Sequence, residues 1–200
     1  ANLLENTTGQ FDVNGGKGVL RIISGKTGAA VGAISLLGSV IGAAAGSNST
    51  VAASALLREL TEMPFDAFTM RVERGADLSL KLAAIEFISP ATRLTGSGAI
   101  THQAGVPITQ QPLQMELRIA GKQHMLRMLD EARVLGETVD DKGYGQMRAP
   151  FKVSGSVSKL TDNLWSVLLS TALEMRSDLQ NSRAQPQTQP ATPRTNLRRR

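Results

Sequence analysis

Between Phe65 and Ile119 apolar residues recur at every second position: Phe68, Met70 and Val72, then Leu78, Leu80 and Leu82, then Leu113, Met115, Leu117 and Ile119. Polar or charged residues such as Thr69, Arg71, Lys81, Gln114, Glu116 and Arg118 stand between them. A strand sends successive side chains to opposite faces, so the alternation predicts strands with one dry and one wet face, as antiparallel sheets have. Arg74-Gly-Ala-Asp77 reads as a tight connection and His102-Gln-Ala-Gly-Val-Pro107 as a longer one. A further strand is expected over Ala149-Pro-Phe-Lys-Val-Ser-Gly-Ser-Val157. An earlier pair is expected between Phe11-Asp-Val13 and Gly18-Val-Leu-Arg-Ile-Ile23.

Elsewhere the period lengthens to that of a helix. Ala53, Leu56, Leu57 and Leu60 share one helical face before Pro64, and Met125, Met128, Leu129 and Ala132 repeat the spacing in a helix spanning 122 to 135 and ending near Gly136. Thr161 is placed to cap a third helix, 162 to 178, whose apolar face is Leu164, Val167, Leu168, Ala172 and Met175. The expected fold class is mainly β with α: an open antiparallel sheet with connecting and C-terminal helices.

Composition narrows the function. The chain has 200 residues, 41% of them hydrophobic, but only five Phe, one Tyr and one Trp, so burial relies on aliphatic side chains. The net charge of +5 sits in the last twenty residues, which carry Arg183, Arg194, Arg198, Arg199 and Arg200 and no acid. Residues 1 to 180 are thus formally neutral and offer no basic face for nucleic acid. The stretch 181 to 200 is rich in Pro, Gln, Thr and Arg and is expected to be a disordered basic tail. No cysteine is present, which excludes disulfides and thiolate chemistry. The start at Ala1, with neither Met nor signal peptide, reads as that of a fragment or processed piece.

The motifs that would carry chemistry fail on their own mechanics. Gly25-Lys26-Thr27 ends like a phosphate loop, but Leu20 stands where the first glycine must let the backbone curl round a phosphate. His102 and His124 lack partners at metal-ligand spacing and are expected at the surface. Gly96-Ser97-Gly98 is too short for a nucleophile elbow, and Asp130-Glu131 and Asp140-Asp141 read as solvated charge. No catalytic residue, cofactor or metal ligand is expected, and hence no enzyme. The pairs Gly28/Gly32, Gly38/Gly42 and Gly42/Gly46 lie in a run with no charge from Thr27 to Leu57. That spacing suits close helix packing, and the run is expected to pack on protein as a helical Gly/Ala-rich insertion over 24 to 62. It is too poor in large apolar residues for a convincing bilayer span.

The series Phe65-Asp-Ala-Phe68, Gly75, a strand over 77 to 88, Ser89-Pro90 and Leu94-Thr-Gly-Ser-Gly-Ala-Ile100 resembles the C-terminal region of the AsmA-like family. Ala149-Pro-Phe-Lys-Val-Ser-Gly-Ser-Val157 is similar to a later strand of that family. The resemblance covers roughly residues 8 to 160. Two features depart from it: the long 24 to 62 connection, and Lys159-Leu160-Thr161 where the family has a proline soon after its last glycine. The resemblance implies one module over 1 to 180, built as a curved open antiparallel sheet. It also implies a periplasmic, Gram-negative envelope protein, anchored to the inner membrane by an N-terminal segment absent from this chain. Such a module is non-catalytic and supports phospholipid transfer between membranes or outer-membrane assembly.

A sheet with one apolar face that curls without closing forms a trough able to shield acyl chains. The residues expected to face lipid are Leu78, Leu80, Leu82, Leu113, Met115, Leu117, Ile119, Phe151 and Val153. The expected partners are phospholipid acyl chains and envelope assembly proteins, with no nucleic acid. The alternative is a structural or partner-binding periplasmic module that handles no lipid, its apolar residues covered by the helices.

Overall fold

The alternating segments pair in chain order, each with the next. In the computed structural model, which describes residues 8–21, 47–168 and 170, strands β4 (Ala67–Arg74), β5 (Leu80–Ile88), β6 (Thr92–Ile100) and β7 (Pro112–Gly121) form an antiparallel meander. Strand β1 (Gly9–Gly15) adds to the free side of β4. Beyond β7 come β10 (Phe151–Ser156) and β11 (Lys159–Asp162), and the hairpin of β8 (Leu135–Val139) and β9 (Gly145–Met147) joins the end of β7 through β9. These nine strands make one open sheet, not a closed barrel. A separate two-stranded sheet pairs β2 (Gly18–Leu20) with β3 (Met63–Phe65). The protein is thus mainly antiparallel β with helices, as the alternation predicts.

Register shows how the dry face is kept in phase. Phe68 stands opposite Phe87, Met70 opposite Ile85 and Val72 opposite Leu82. The apolar positions of β5 switch from even numbers, Leu80 and Leu82, to odd numbers, Ile85 and Phe87. The register shift between Arg71 and Val72, at which Ala83 is the extra residue on β5, absorbs that switch. Without this bulge Ile85 and Phe87 would point into water. On the far side Leu94, Gly96, Gly98 and Ile100 of β6 stand opposite Ile119, Leu117, Met115 and Leu113 of β7.

Helices close over part of the dry face. Helix α1 (Ser47–Thr61) buries Ala52, Ala53, Leu56, Leu57 and Leu60; α2 (His124–Glu131) buries Met125 and Leu129 and packs against α1 and β7. Leu164 and Leu168, in a helical segment over 164 to 168, join the same core as Phe151, Val153, Leu117 and Ile119.

The structure corrects several expectations. Phe11-Asp-Val13 does not pair with the strand at Gly18: β1 pairs with β4, and β2 with β3, because each apolar edge is satisfied by a more distant alternating segment. Helix α2 stops at Glu131, where Arg133 takes a positive φ of 60°, and the chain turns directly into the unforeseen hairpin β8–β9. Thr161 lies in β11 and does not cap the last helical segment; Asp162 Oδ1 accepts the Leu164 N–H instead, at 3.1 Å. The glycine run 28 to 46 and the tail 181 to 200 lie outside the described residues.

Candidate functional site

The nine residues expected to face lipid are not one exposed patch. Leu82, Leu113, Leu117, Ile119, Phe151 and Val153 are buried in the core. Leu80 and Met115 are half-buried on the dry face. Leu78 is also half-buried, but it precedes β5 in a turn with φ 62°, in which its N–H bonds the Gly75 carbonyl at 3.0 Å. The strand therefore begins two residues later than the alternation suggests. The turn is held by Asp77, whose carboxylate accepts the Ser79 N–H at 3.2 Å.

The structure adds residues that are not among the nine expected to face lipid. Ile100 stands between Leu80 and Leu113 across three strands and is half-buried. Met70 lies between Val13 and Ile85, also half-buried, and Val13 and Phe11 on β1 are 38% and 46% exposed. The accessible apolar surface therefore runs along a border: Phe11 and Val13 on the outer strand, Leu80 and Ile100 at one end of the meander, Met115 beside them. The sequence signal for Ile100 is the final position of Leu94-x-Gly-x-Gly-x-Ile100; for β1 it is the short alternation of Phe11 and Val13.

The glycines of that motif shape the face. A side chain on Gly96 would collide with the Glu116 carbonyl oxygen and meet Leu117 Cδ2 at 2.6 Å. On Gly98 it would collide with the Gln114 carbonyl oxygen and meet Met115 Cγ at 2.7 Å. Only glycine lets the backbones of β6 and β7 pair this closely at these two positions.

The opposite face is charged and self-paired. Arg71 Nε donates to Asp12 at 2.8 Å, Lys81 to Glu73 at 2.9 Å and Arg93 Nη2 to Asp140 at 2.6 Å. Asp140 is thus not the freely solvated charge its neighbour Asp141 suggested. The backbone N–H of Tyr144 holds its carboxyl below the ordinary range, against partial desolvation and with help from Arg93. Arg93 and Lys122 each lie over the Tyr144 ring, 4.6 Å and 4.7 Å from its centre, and the Tyr144 hydroxyl donates to the Ser89 carbonyl at 3.4 Å. Ser89 in turn exchanges two 3.0 Å hydrogen bonds with the Thr92 backbone, which gives the Ser89-Pro90 step its turn. This cluster fastens the β8–β9 turn to the β5–β6 turn and is fully engaged in doing so.

Gln111 has a similar structural task. It is buried and spans the 101 to 111 loop, accepting the Gln103 N–H at 2.6 Å and donating to the carbonyls of Gln103 and Val106. His102 is exposed, and His124 Nε2 lies 3.5 Å from Glu59, joining α2 to α1. Among the described residues no group of three or more His, Asp or Glu side chains is placed to hold a metal ion. Among the same residues no helix is long and apolar enough to cross a membrane.

No protein-family model, curated protein or solved structure matches the chain.

Proposed function

We propose that this chain is an AsmA-like envelope module that acts in the periplasm without catalysis and supports phospholipid transfer between membranes or outer-membrane assembly. The observation that carries the reading is the open sheet whose dry face stays half-accessible along Leu80, Ile100 and Met115 while its other face is charged. An acyl chain laid on that border loses contact with water, and a headgroup beyond the border does not. Each buried methylene contributes about 0.8 kcal/mol, so a segment of ten contributes on the order of 8 kcal/mol before ordering costs.

The sequence resemblance supports the same reading and supplies its cellular setting. The competing reading, a partner-binding module in which no lipid is handled, draws on the burial of Leu82, Leu113, Leu117, Ile119, Phe151 and Val153. A photo-crosslinking side chain placed at Leu80, Ile100 or Met115, with Glu116 on the charged face as control, separates the two. With vesicles of phosphatidylethanolamine and phosphatidylglycerol, label on phospholipid from the first three sites and not from Glu116 supports lipid handling. Label confined to protein at all four sites refutes it.

A further inference from the structure

The two edges of the main sheet differ in how they are protected. On one side β11 is four residues long, carries Lys159, and is followed at once by the helical segment that starts at 164. On the other side β1 runs for seven residues, Gly9-Gln-Phe-Asp-Val-Asn-Gly15, and is bonded to β4 along its whole length. Among the described strands it has no neighbour on its outer side. An edge strand offers a row of unpaired N–H and C=O groups, and proteins ordinarily discourage its pairing with a lysine, a proline or a bulge. Strand β1 has none of these. Its one charge, Asp12, is already held by Arg71 at 2.8 Å on the wet face.

The dry face is also cut off abruptly there. Phe11 is 46% exposed, whereas Val72, directly opposite it on β4, is 5% exposed. Nothing on the outer side covers Phe11 and Val13 among the described strands, although the row they belong to continues inward through Val72 and Leu82 and through Met70 and Ile85.

We propose that β1 is a self-pairing edge, on which the β1 strand of a second copy of this chain adds antiparallel and joins two sheets into one. The segment is compatible with itself. With Phe11 opposite Phe11 of the second copy, Gln10 faces Asp12 and Gly9 faces Val13, so no like charges oppose each other and an aromatic pair forms on the dry face. Moving the two-fold axis from Phe11 to Val13, a slide of four residues, places Val13 opposite Val13 and Asp12 opposite Asn14 and keeps the same face dry; an axis through Asp12, a slide of two, is excluded because it sets Asp12 against Asp12. The two-fold axis lies perpendicular to the sheet, so both copies turn their apolar faces to the same side. The inference stands independently of lipid handling, since it rests on the edge and not on what the face holds. A seven-residue edge buries less than a standard interface, so the dimer is weak and depends on concentration.

Sedimentation equilibrium of the full chain tests this, from about 1 µM to about 100 µM, a range in which micromolar dissociation constants are read directly. The expected result is a monomer–dimer equilibrium that Val13→Lys abolishes, while circular dichroism shows that variant still folded. Because the native chain has no cysteine, single-cysteine variants report the contact. Phe11→Cys or Val13→Cys is expected to form a disulfide dimer about tenfold faster than Ser97→Cys on the exposed wet face, through the raised effective concentration of the paired thiols. A chain that stays monomeric throughout overturns the proposal. So does a dimer that survives Val13→Lys with no preferential cross-link at Phe11 or Val13, which would place the contact elsewhere.

Discussion

Arg93 Nη2 and Asp140 Oδ2 meet at 2.6 Å, tying the wet face of β6 to the turn between β8 and β9, 47 residues later in the chain. The Asp140 carboxylate also accepts the N–H groups of Tyr144 at 2.8 Å and Lys142 at 3.0 Å. These donors favour its charged form, so its pKa in the folded chain lies below the ordinary aspartate value of 3.8. Lowering the pKa on folding adds stability that is fully present above the unfolded value and is lost as pH falls through the folded value. Urea unfolding from pH 6 to pH 3 is therefore expected to show a steeper acid decline for the native chain than for Asp140→Asn. The difference between the two is expected to narrow as pH falls below the ordinary aspartate value.

The glycines of β6 predict a stability difference. Gly98→Ala drives a methyl group toward a backbone carbonyl of β7, which cannot move without disturbing the ladder, and is expected to cost about 1–3 kcal/mol. Gly16 faces open space, with no atom within 4 Å of the position a methyl group would take, so Gly16→Ala is expected to stay within about 0.5 kcal/mol. Denaturant midpoints for the two variants, at unchanged m-value, provide the comparison.

Two phenylalanines on the same dry face are expected to behave differently. Phe151 is fully buried opposite Leu117, in the core that Leu164 joins, so Phe151→Ala leaves a cavity and is expected to cost about 3–5 kcal/mol. Phe11 is nearly half exposed, and Phe11→Ala is expected to cost less than about 1 kcal/mol in the monomer. Thermal unfolding at low protein concentration measures both.

The alternation of Phe68, Met70 and Val72 and of Leu113 to Ile119 by itself determined the strands β4 and β7, their dry face and the antiparallel class of the sheet. It did so because side-chain direction along a strand is a local property with a fixed period of two. The positions of α1 and α2 followed likewise from local helical spacing. Tertiary structure decided the rest. The partner of β1 was settled by which distant edge was free, and sequence proximity to Gly18 counted for nothing. The hairpin β8–β9 is short and weakly alternating, and Arg93, Asp140 and Tyr144 hold its turn through contacts remote in the chain. The same holds for the candidate site. Sequence named the dry face, but exposure on that face depends on where the helices stop covering it, and that left Leu80, Ile100, Met115, Phe11 and Val13 accessible while burying Leu117, Phe151 and Val153. Which apolar side chains remain available to a ligand is a property of packing between segments, and no periodicity encodes it.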